Sequence, residues 1–298
     1  MITYQITPIQ EIEDLSLRKA GVRLLIKRED LNHPEISGNK WWKLKYNLAE
    51  AICQEKDTLL TFGGSHSNHI YATAAAANIL GLRSIGIIRG EESFPLNPTL
   101  AFARSKGMQL HYLDRESYRE KSDPEKIEEF RTQFGDFFLI PEGGTNELAV
   151  KGCKEFGEQL RQESAFDYLC LPVGTGGTMA GMIEALGPLQ TIIGFSALKG
   201  GGFLEGEVHS LINPARGKDC ARWRIETGYH FGGYAKVTKK LREFILLEHK
   251  KHGLPLDLVY TAKTLFGIYD LVRKNEIPEG SVILMLHTGG LQGSYLSE

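Results

Sequence analysis

The stretch YLCLPVGTGGTMAGMIEAL, residues 168–186, decides the fold class. It opens with a short apolar run of strand length at 168–171, breaks at the turn Gly174-Thr175-Gly176-Gly177-Thr178, and continues as a helix over 177–186. The same order of strand, glycine turn and helix recurs along the chain. FGGSHSNH (62–69) follows a strand predicted at 58–62, PEGGTNEL (141–148) follows one at 137–140, and HTGG (287–290) follows one at 282–286. Further strands are predicted at 24–27, 84–88, 109–113 and 191–195, with helices at 40–53, 68–80, 98–106, 125–134, 147–163, 236–252 and 262–274. Strands alternating with helices build parallel sheets from βαβ units, so the expected class is α/β.

A helix start presents unpaired backbone N–H groups and the positive end of the helix dipole, and a glycine turn leading into it can hold an anion. Any one of these turns could be no more than a tight turn, for which glycine is the natural residue. Three of them, with the final HTGG, point to several strand ends converging on one anionic ligand or cofactor.

At 298 residues, 42% hydrophobic and 24% charged, the chain has material for one large domain or two moderate ones, which excludes disorder as its main state. Lys and Arg number 35 against 37 Asp and Glu, a net charge of -2 without a long block of either sign. That balance argues against an electrostatic binder of nucleic acid or anionic membrane. Cys53, Cys153, Cys170 and Cys220 form no C-x-x-C pair, so reduced structural thiols are expected and no metal site. MITYQITPIQEIEDL carries acids where a signal peptide needs bases and an apolar core, and a cytoplasmic protein is expected. The irregular, glycine-rich region from Gly200 to Tyr234 reads as a candidate active-site loop or lid.

Ser37-Gly38-Asn39-Lys40 follows the strand-like LLIKRED and opens the helix WWKLKYNLAE. The dipole at a helix start opposes a lysine's charge and lowers its pKa, and a neutral amine is the nucleophile of Schiff-base chemistry. An ordinary solvated lysine is the competing reading. Gly174 to Thr178 offers backbone donors and hydroxyls suited to a terminal phosphate, without the Lys-Ser/Thr ending of a Walker loop or the spacing G-x-G-x-x-G. Ser65-His66-Ser67-Asn68-His69 does not fit G-x-S-x-G, and its two histidines lack a neighbouring carboxylate for a metal. Its hydroxyls and amide suit a carboxylate or phenolate.

Taken in order, K-R-E-D, G-N-K, G-G-x-x-S-N-H, P-E-G-G-T-N, G-T-G-G-T, V-Y-T-A-K and H-T-G-G resemble the pyridoxal-phosphate family containing 1-aminocyclopropane-1-carboxylate deaminase and D-cysteine desulfhydrase. The match runs from about Lys27 to Gly290. The resemblance implies fold type II, the tryptophan synthase β-like layout. Two domains are then expected, each an open, mostly parallel twisted sheet flanked by helices: a larger one of residues 1–53 plus 153–298 and a smaller one of 54–152, with the cofactor in the cleft between them. It further implies that Lys40 holds pyridoxal 5'-phosphate as a Schiff base and moves the substrate α-proton, that Asn68 bonds the ring hydroxyl, and that Ser67 lies beside the substrate carboxylate. Gly174, Thr175, Gly176, Gly177 and Thr178 would receive the phosphate, Tyr260 and Tyr234 would face a small amino-acid substrate, and a homodimer is the family expectation.

Ring-opening deaminases of the family are expected to carry Glu after the tyrosine matched by Tyr260 and Leu between His and Gly-Gly; this chain has Thr261 and Thr288, with His69 where Gln is usual. These choices resemble the desulfhydrase branch, and Thr288 is the expected partner of the pyridine nitrogen. A ring-opening deaminase, a lyase or racemase for another small D-amino acid, and a non-catalytic sensor of a phosphate-containing ligand are the alternatives. Three departures from the family pattern bear on the substrate pocket: Trp41-Trp42 after the lysine, the content of 200–233, and the ending LQGSYLSE.

Overall fold

The computed structural model describes residues 2–214 and 220–293. The chain runs β1 (Ile9–Glu11), α1 (Leu15–Lys19), β2 (Arg23–Lys27), α2 (Asn39–Cys53), β3 (Thr58–Gly64), α3 (Asn68–Leu80), β4 (Arg83–Arg89), α4 (Pro98–Ser105), β5 (Gln109–Leu113), α5 (Pro124–Phe134) and β6 (Phe138–Ile140). It continues with α6 (Glu147–Glu163), β7 (Tyr168–Val173), α7 (Gly177–Ala185), β8 (Thr191–Ser196), α8 (Leu204–Leu211), β9 (Arg222–Glu226), α9 (Lys239–His252), α10 (Thr261–Arg273) and β10 (Val282–Leu286).

Two sheets result, one of six strands in the order β1-β2-β10-β7-β8-β9 and one of four in the order β5-β4-β3-β6. Every pairing is parallel except β1 with β2. The central strands read as unbroken apolar runs because helices cover both faces: Leu59, Leu60, Leu169 and Leu171 are fully buried. Each sheet reverses its winding once, between β3 and β6 in one and between β7 and β10 in the other. Such reversals open a crevice beyond the carboxyl ends of the strands, which is where parallel sheets bind ligands. All four strands at these points lead into the glycine turns quoted above.

Helix α2 belongs to both cores. Its Trp42 packs among Phe156, Leu169 and Met179 against the larger sheet, whereas Leu44, Leu48 and Ala51 pack on Leu59 and the alanine row of α3. The K-R-E-D motif anchors the chain entering this helix. Glu29, 1% exposed, accepts hydrogen bonds from Tyr4 Oη (2.9 Å), Thr7 Oγ1 (2.5 Å), Asn32 Nδ2 (2.9 Å) and Trp42 Nε1 (2.8 Å). Lys27 reaches Thr7 O and Glu163, and Arg28 pairs with Asp30.

The region from Gly200 to Tyr234 is not the irregular loop expected from its glycines. It contains α8 and the edge strand β9, paired in parallel with β8. Residues 215–219 of this region, and 294–298 of the chain's ending, lie outside the described residues. Helix α9 begins at Lys239 rather than 236 because Thr238 caps it, accepting the Leu241 N–H at 3.3 Å.

Candidate active site

Lys40 stands in the first turn of α2, and a buried knot of hydrogen bonds holds it there. Gly38 N–H donates to Asn32 Oδ1 (3.0 Å) and Glu29 O (2.9 Å), and Asn32 Nδ2 donates back to Gly38 O (2.9 Å). Gly38 has φ +72°, and a Cβ there would fall inside the Thr288 carbonyl, so only glycine lets α2 start against the turn that follows β10. No acidic residue occupies the first turn of α2, and the Lys40 amine has no hydrogen-bond partner among the described residues. Burial lowers its pKa to about 8, against a small opposing pull from Cys153.

One turn on, Lys43 is 1% exposed and donates to Thr145 Oγ1 (2.6 Å) and Thr175 Oγ1 (3.3 Å), whose hydroxyls also bond each other at 2.6 Å. Burial, and then the neighbouring Lys40, hold this amine well below the ordinary lysine range. These groups wall the turn Gly174 to Thr178. Gly176 caps α7 at φ +77° with no side-chain bond to the helix's first N–H groups, and Asn39 Nδ2 donates to Thr178 Oγ1 at 2.9 Å. A side chain on Gly177 would press on Thr145 and Lys43 Cε, which keeps the backbone bare beside that amine.

Helix α3 begins with Ser67 as its cap, accepting the Ile70 N–H at 3.3 Å. The Ser67 hydroxyl hydrogen remains available to an acceptor in the cleft. Asn68 follows, its amide packed on Gly290. His69 is not a metal ligand: it is 1% exposed, and its Nε2 lies 2.7 Å from Thr61 Oγ1. Thr61 gives its proton to Ile140 O (2.8 Å), so Nε2 carries a hydrogen and donates it to Thr61. Burial and then the charges of Lys40 and Lys43 push its pKa well below the histidine range. Among the described residues no cluster of His, Cys, Asp and Glu could hold a metal.

Tyr260 and Tyr234 meet edge to face, ring centroids 6.1 Å apart, and their hydroxyls interact. Burial raises both pKa values, so both remain phenols. The ring of Tyr260 lies against Gly174. Asp257 fixes this tyrosine by accepting the N–H groups of Val259 (2.8 Å), Tyr260 (2.8 Å) and Thr261 (2.7 Å), together with the Thr261 hydroxyl (2.7 Å). Thr261 is fully buried, and its oxygen accepts the Asp257 N–H at 2.8 Å. Its hydroxyl is therefore committed to the start of α10. The Thr288 hydroxyl, by contrast, has no partner among the described residues, on a side chain that is itself buried.

The residues singled out from the sequence thus form one connected set. Lys40 shares its turn with Asn39, which reaches Thr178; Gly38 lies on Thr288, Gly290 on Asn68, and Gly174 on Tyr260 with Tyr234 behind it. A cavity of about 170 Å³ adjoins them, lined by His66, Asn68, Thr99, Asp257, Gly290 and Gln292 among others. A larger cavity, about 300 Å³, lies at the opposite edge of the sheet, by the first residues of β7, β8 and β9.

Sequence reasoning missed Lys43, Thr145 and Asp257. The spacing of Lys43, three residues after Lys40, was the available signal, since it puts both amines on one helix face. Asp257 lies four residues before the first residue of α10, outside the N-cap position that Tyr260 holds, so no capping signal marks it. Trp41 and Trp42, expected to reshape the substrate pocket, pack elsewhere: Trp42 stacks on Phe156 at 4.8 Å, and Trp41 packs on Tyr4 between the two cores.

Pyridoxal phosphate suits this donor set. An amine without a hydrogen-bond partner and lowered toward neutrality is what its aldehyde needs. A second buried amine, two hydroxyls and a bare helix start are what its phosphate needs.

Comparison with known proteins agrees. The model of the family described as "Pyridoxal-phosphate dependent enzyme" matches residues 2–289. The chain is 33% identical to the bifunctional D-cysteine desulfhydrase/1-aminocyclopropane-1-carboxylate deaminase of Arabidopsis thaliana, covering 92% of this chain and 74% of that protein. It is 30% identical to the 1-aminocyclopropane-1-carboxylate deaminase of Ralstonia nicotianae, over 97% of this chain and 93% of that one. The crystal structure of an ACC deaminase homologue superimposes with a TM-score of 0.85 at 30% identity, covering 99% of this chain and 92% of the other. The fold is the type II fold of these enzymes. The chain belongs to the pyridoxal-phosphate dependent enzyme family.

Proposed function

We propose that this enzyme catalyses β-elimination from a small D-amino acid, D-cysteine above others, giving pyruvate, ammonia and sulfide. The observation that carries the choice is the pair Thr261 and Thr288. Neither position offers a carboxylate to hold the pyridine nitrogen protonated, and the Thr261 hydroxyl is spent on Asp257. Thr288 is then the residue left to face that nitrogen. A weakly polarised ring suits loss of a good thiolate leaving group better than opening of a cyclopropane.

Bound pyridoxal phosphate would supply an electron-withdrawing ring that stabilises negative charge on the substrate's α-carbon. Lys40 Nζ would hold the cofactor and serve as the base for the substrate's α-proton; a pKa of about 8 lets it act near neutrality. The Ser67 hydroxyl and the start of α3 bind the substrate carboxylate, and Asn68 meets the ring's 3-oxygen. Lys43 and the turn Gly174 to Thr178 anchor the phosphate. Tyr260 and Tyr234, both held as phenols by burial, face the substrate as hydroxyl donors. This arrangement supports a smaller domain of residues 54–152 around the four-stranded sheet, facing a larger one of 1–53 plus 153–298 across the site. We also assign a homodimer and a cytoplasmic location. No helix among the described residues is long and apolar enough to cross a membrane.

The test is the visible spectrum of the purified protein before and after D-cysteine, with pyruvate and sulfide measured alongside, and 1-aminocyclopropane-1-carboxylate assayed in parallel. A shifted band with pyruvate and sulfide supports the proposal, and Lys40→Ala abolishes both. Faster keto-acid release from the cyclopropane substrate assigns the ring-opening reaction instead. A D-cysteine solution that only loses optical activity assigns racemisation, and a protein with no visible band after addition of pyridoxal phosphate is a sensor.

A further inference from the structure

Asn68 is the first residue of α3, and its carboxamide has two faces to offer a ligand, an acceptor Oδ1 and a donor Nδ2. Oδ1 is already taken: Gln292 Nε2 donates to it at 2.5 Å. Nδ2 has no hydrogen-bond partner among the described residues and lies against Gly290, whose φ of +88° and lack of a side chain leave room for it. Gln292 sits in the short turn Leu291–Gly293, in the LQG where this chain departs from the family's usual ending. It also lines the cavity of about 170 Å³ beside Asn68.

We propose that Gln292 is a positioning residue that holds Asn68 with its N–H edge toward the cofactor's 3-oxygen; the inference rests on the reading of Asn68 given above. A carboxamide can turn over, and the two amides could pair in either sense. A phenolate oxygen demands a donor, which leaves Asn68 Oδ1 needing one of its own, and the Gln292 N–H supplies it. The two bonds therefore favour each other. A donor on the 3-oxygen would stabilise its ionised form and so lower the pH at which the visible band of the loaded protein titrates. Three substitutions separate the possibilities. Gln292→Lys keeps a donor facing Oδ1. Gln292→Leu offers nothing, and Gln292→Glu offers only acceptors, which turns Nδ2 away from the ring and presents Oδ1 to it.

The experiment is a pH titration of the visible band of each protein loaded with pyridoxal phosphate, with melting curves to verify folding. The Lys variant is expected to keep the wild-type midpoint. The Glu variant raises it by about one pH unit, a tenfold change in proton affinity, as expected for a lost hydrogen bond to a charged oxygen, and the Leu variant, which only leaves the amide unheld, raises it by less. Equal midpoints in all four proteins overturn the inference and leave Lys40's role standing. Absence of a visible band from the wild type overturns both.

Discussion

Glu29 lies in a sequence motif that looks chemical, yet its surroundings are structural, and replacing it tests that distinction. Four donors converge on its carboxylate, and they are not equivalent. The hydroxyls of Tyr4 and Thr7 can rotate and accept a hydrogen bond instead, whereas Trp42 Nε1 and Asn32 Nδ2 can only donate. Glu29→Ala leaves these last two buried and unpaired, at a cost of ~1–3 kcal/mol each, so a loss of about 4 kcal/mol is expected. For a chain of this length, with an unfolding entropy of roughly 0.6 kcal/mol/K, that lowers Tm by about 6 °C. Glu29→Gln keeps an oxygen for Trp42 and Asn32 and turns its NH2 to the two hydroxyls, so it should lose only about 1 kcal/mol, or roughly a quarter of the shift.

Thermal unfolding followed by circular dichroism, on the cofactor-free protein, reads both variants. Because Asn32 and the Glu29 backbone carbonyl also hold Gly38, the alanine variant should in addition bind pyridoxal phosphate more weakly. If the glutamine variant melts as low as the alanine variant, the donor count is wrong and negative charge is what matters. If neither moves, Glu29 holds nothing together.

Three further outcomes are expected. Lys43→Met should lower affinity for pyridoxal phosphate by about 10- to 100-fold, the worth of one charge-assisted bond, and leave affinity for pyridoxal without its phosphate nearly unchanged; equilibrium dialysis with both compounds distinguishes phosphate binding from general disruption. Capture of pyridoxal phosphate by the cofactor-free protein should accelerate as pH rises through about 8, where Lys40 loses its proton, and a rate flat from pH 6 to 10 would count against a buried, lowered amine. Glu248 is buried and its pKa is raised to about 7 by that burial, so its folded form prefers the proton: the protein should lose stability from this site as pH climbs from about 4.5 to 7. Glu248→Gln should therefore raise Tm at pH 8 and change little at pH 4.5, as melting curves at the two pH values would show.

The parts of this fold that sequence discloses are those where one local pattern has one physical meaning. A continuous apolar run ending in glycines and a helix is a buried parallel strand, and β3, β6, β7 and β10 all announce themselves this way. Strand β9 does not. Its RWRIE alternates charge with bulk because it is an edge with one exposed face, and β8 rather than any local signal makes it a strand. Helix α8 is eight residues with a glycine inside, too short for periodicity to speak. The site divides in the same manner. Lys40, Asn68 and the turn at Gly174 sit at the starts of predictable helices. Asp257 needs the knowledge that the turn before α10 brings the N–H groups of residues 259–261 onto its carboxylate, and the fate of the Thr261 hydroxyl needs Asp257. A residue's type revealed what it could do, and only its neighbours revealed whether it was already occupied.

The two lysines of α2 show how one environment prepares two opposite tasks. Burial lowers both amines, and Lys40 makes ionisation of Lys43 harder still, so a site with two lysines and, among the described residues, no carboxylate bonded to either tends toward neutrality. Lys43 is held by two hydroxyls that accept its hydrogens and would still do so when it is charged, so an arriving phosphate can restore its proton and gain an ion pair. Lys40 has no such acceptor among the described residues. Once Lys43 carries the positive charge that answers the phosphate, it opposes protonation of its neighbour more strongly, and Lys40 is kept as the free amine that a carbonyl requires. In the proposed reading the phosphate does more than anchor the cofactor: by charging one lysine it keeps the other a nucleophile.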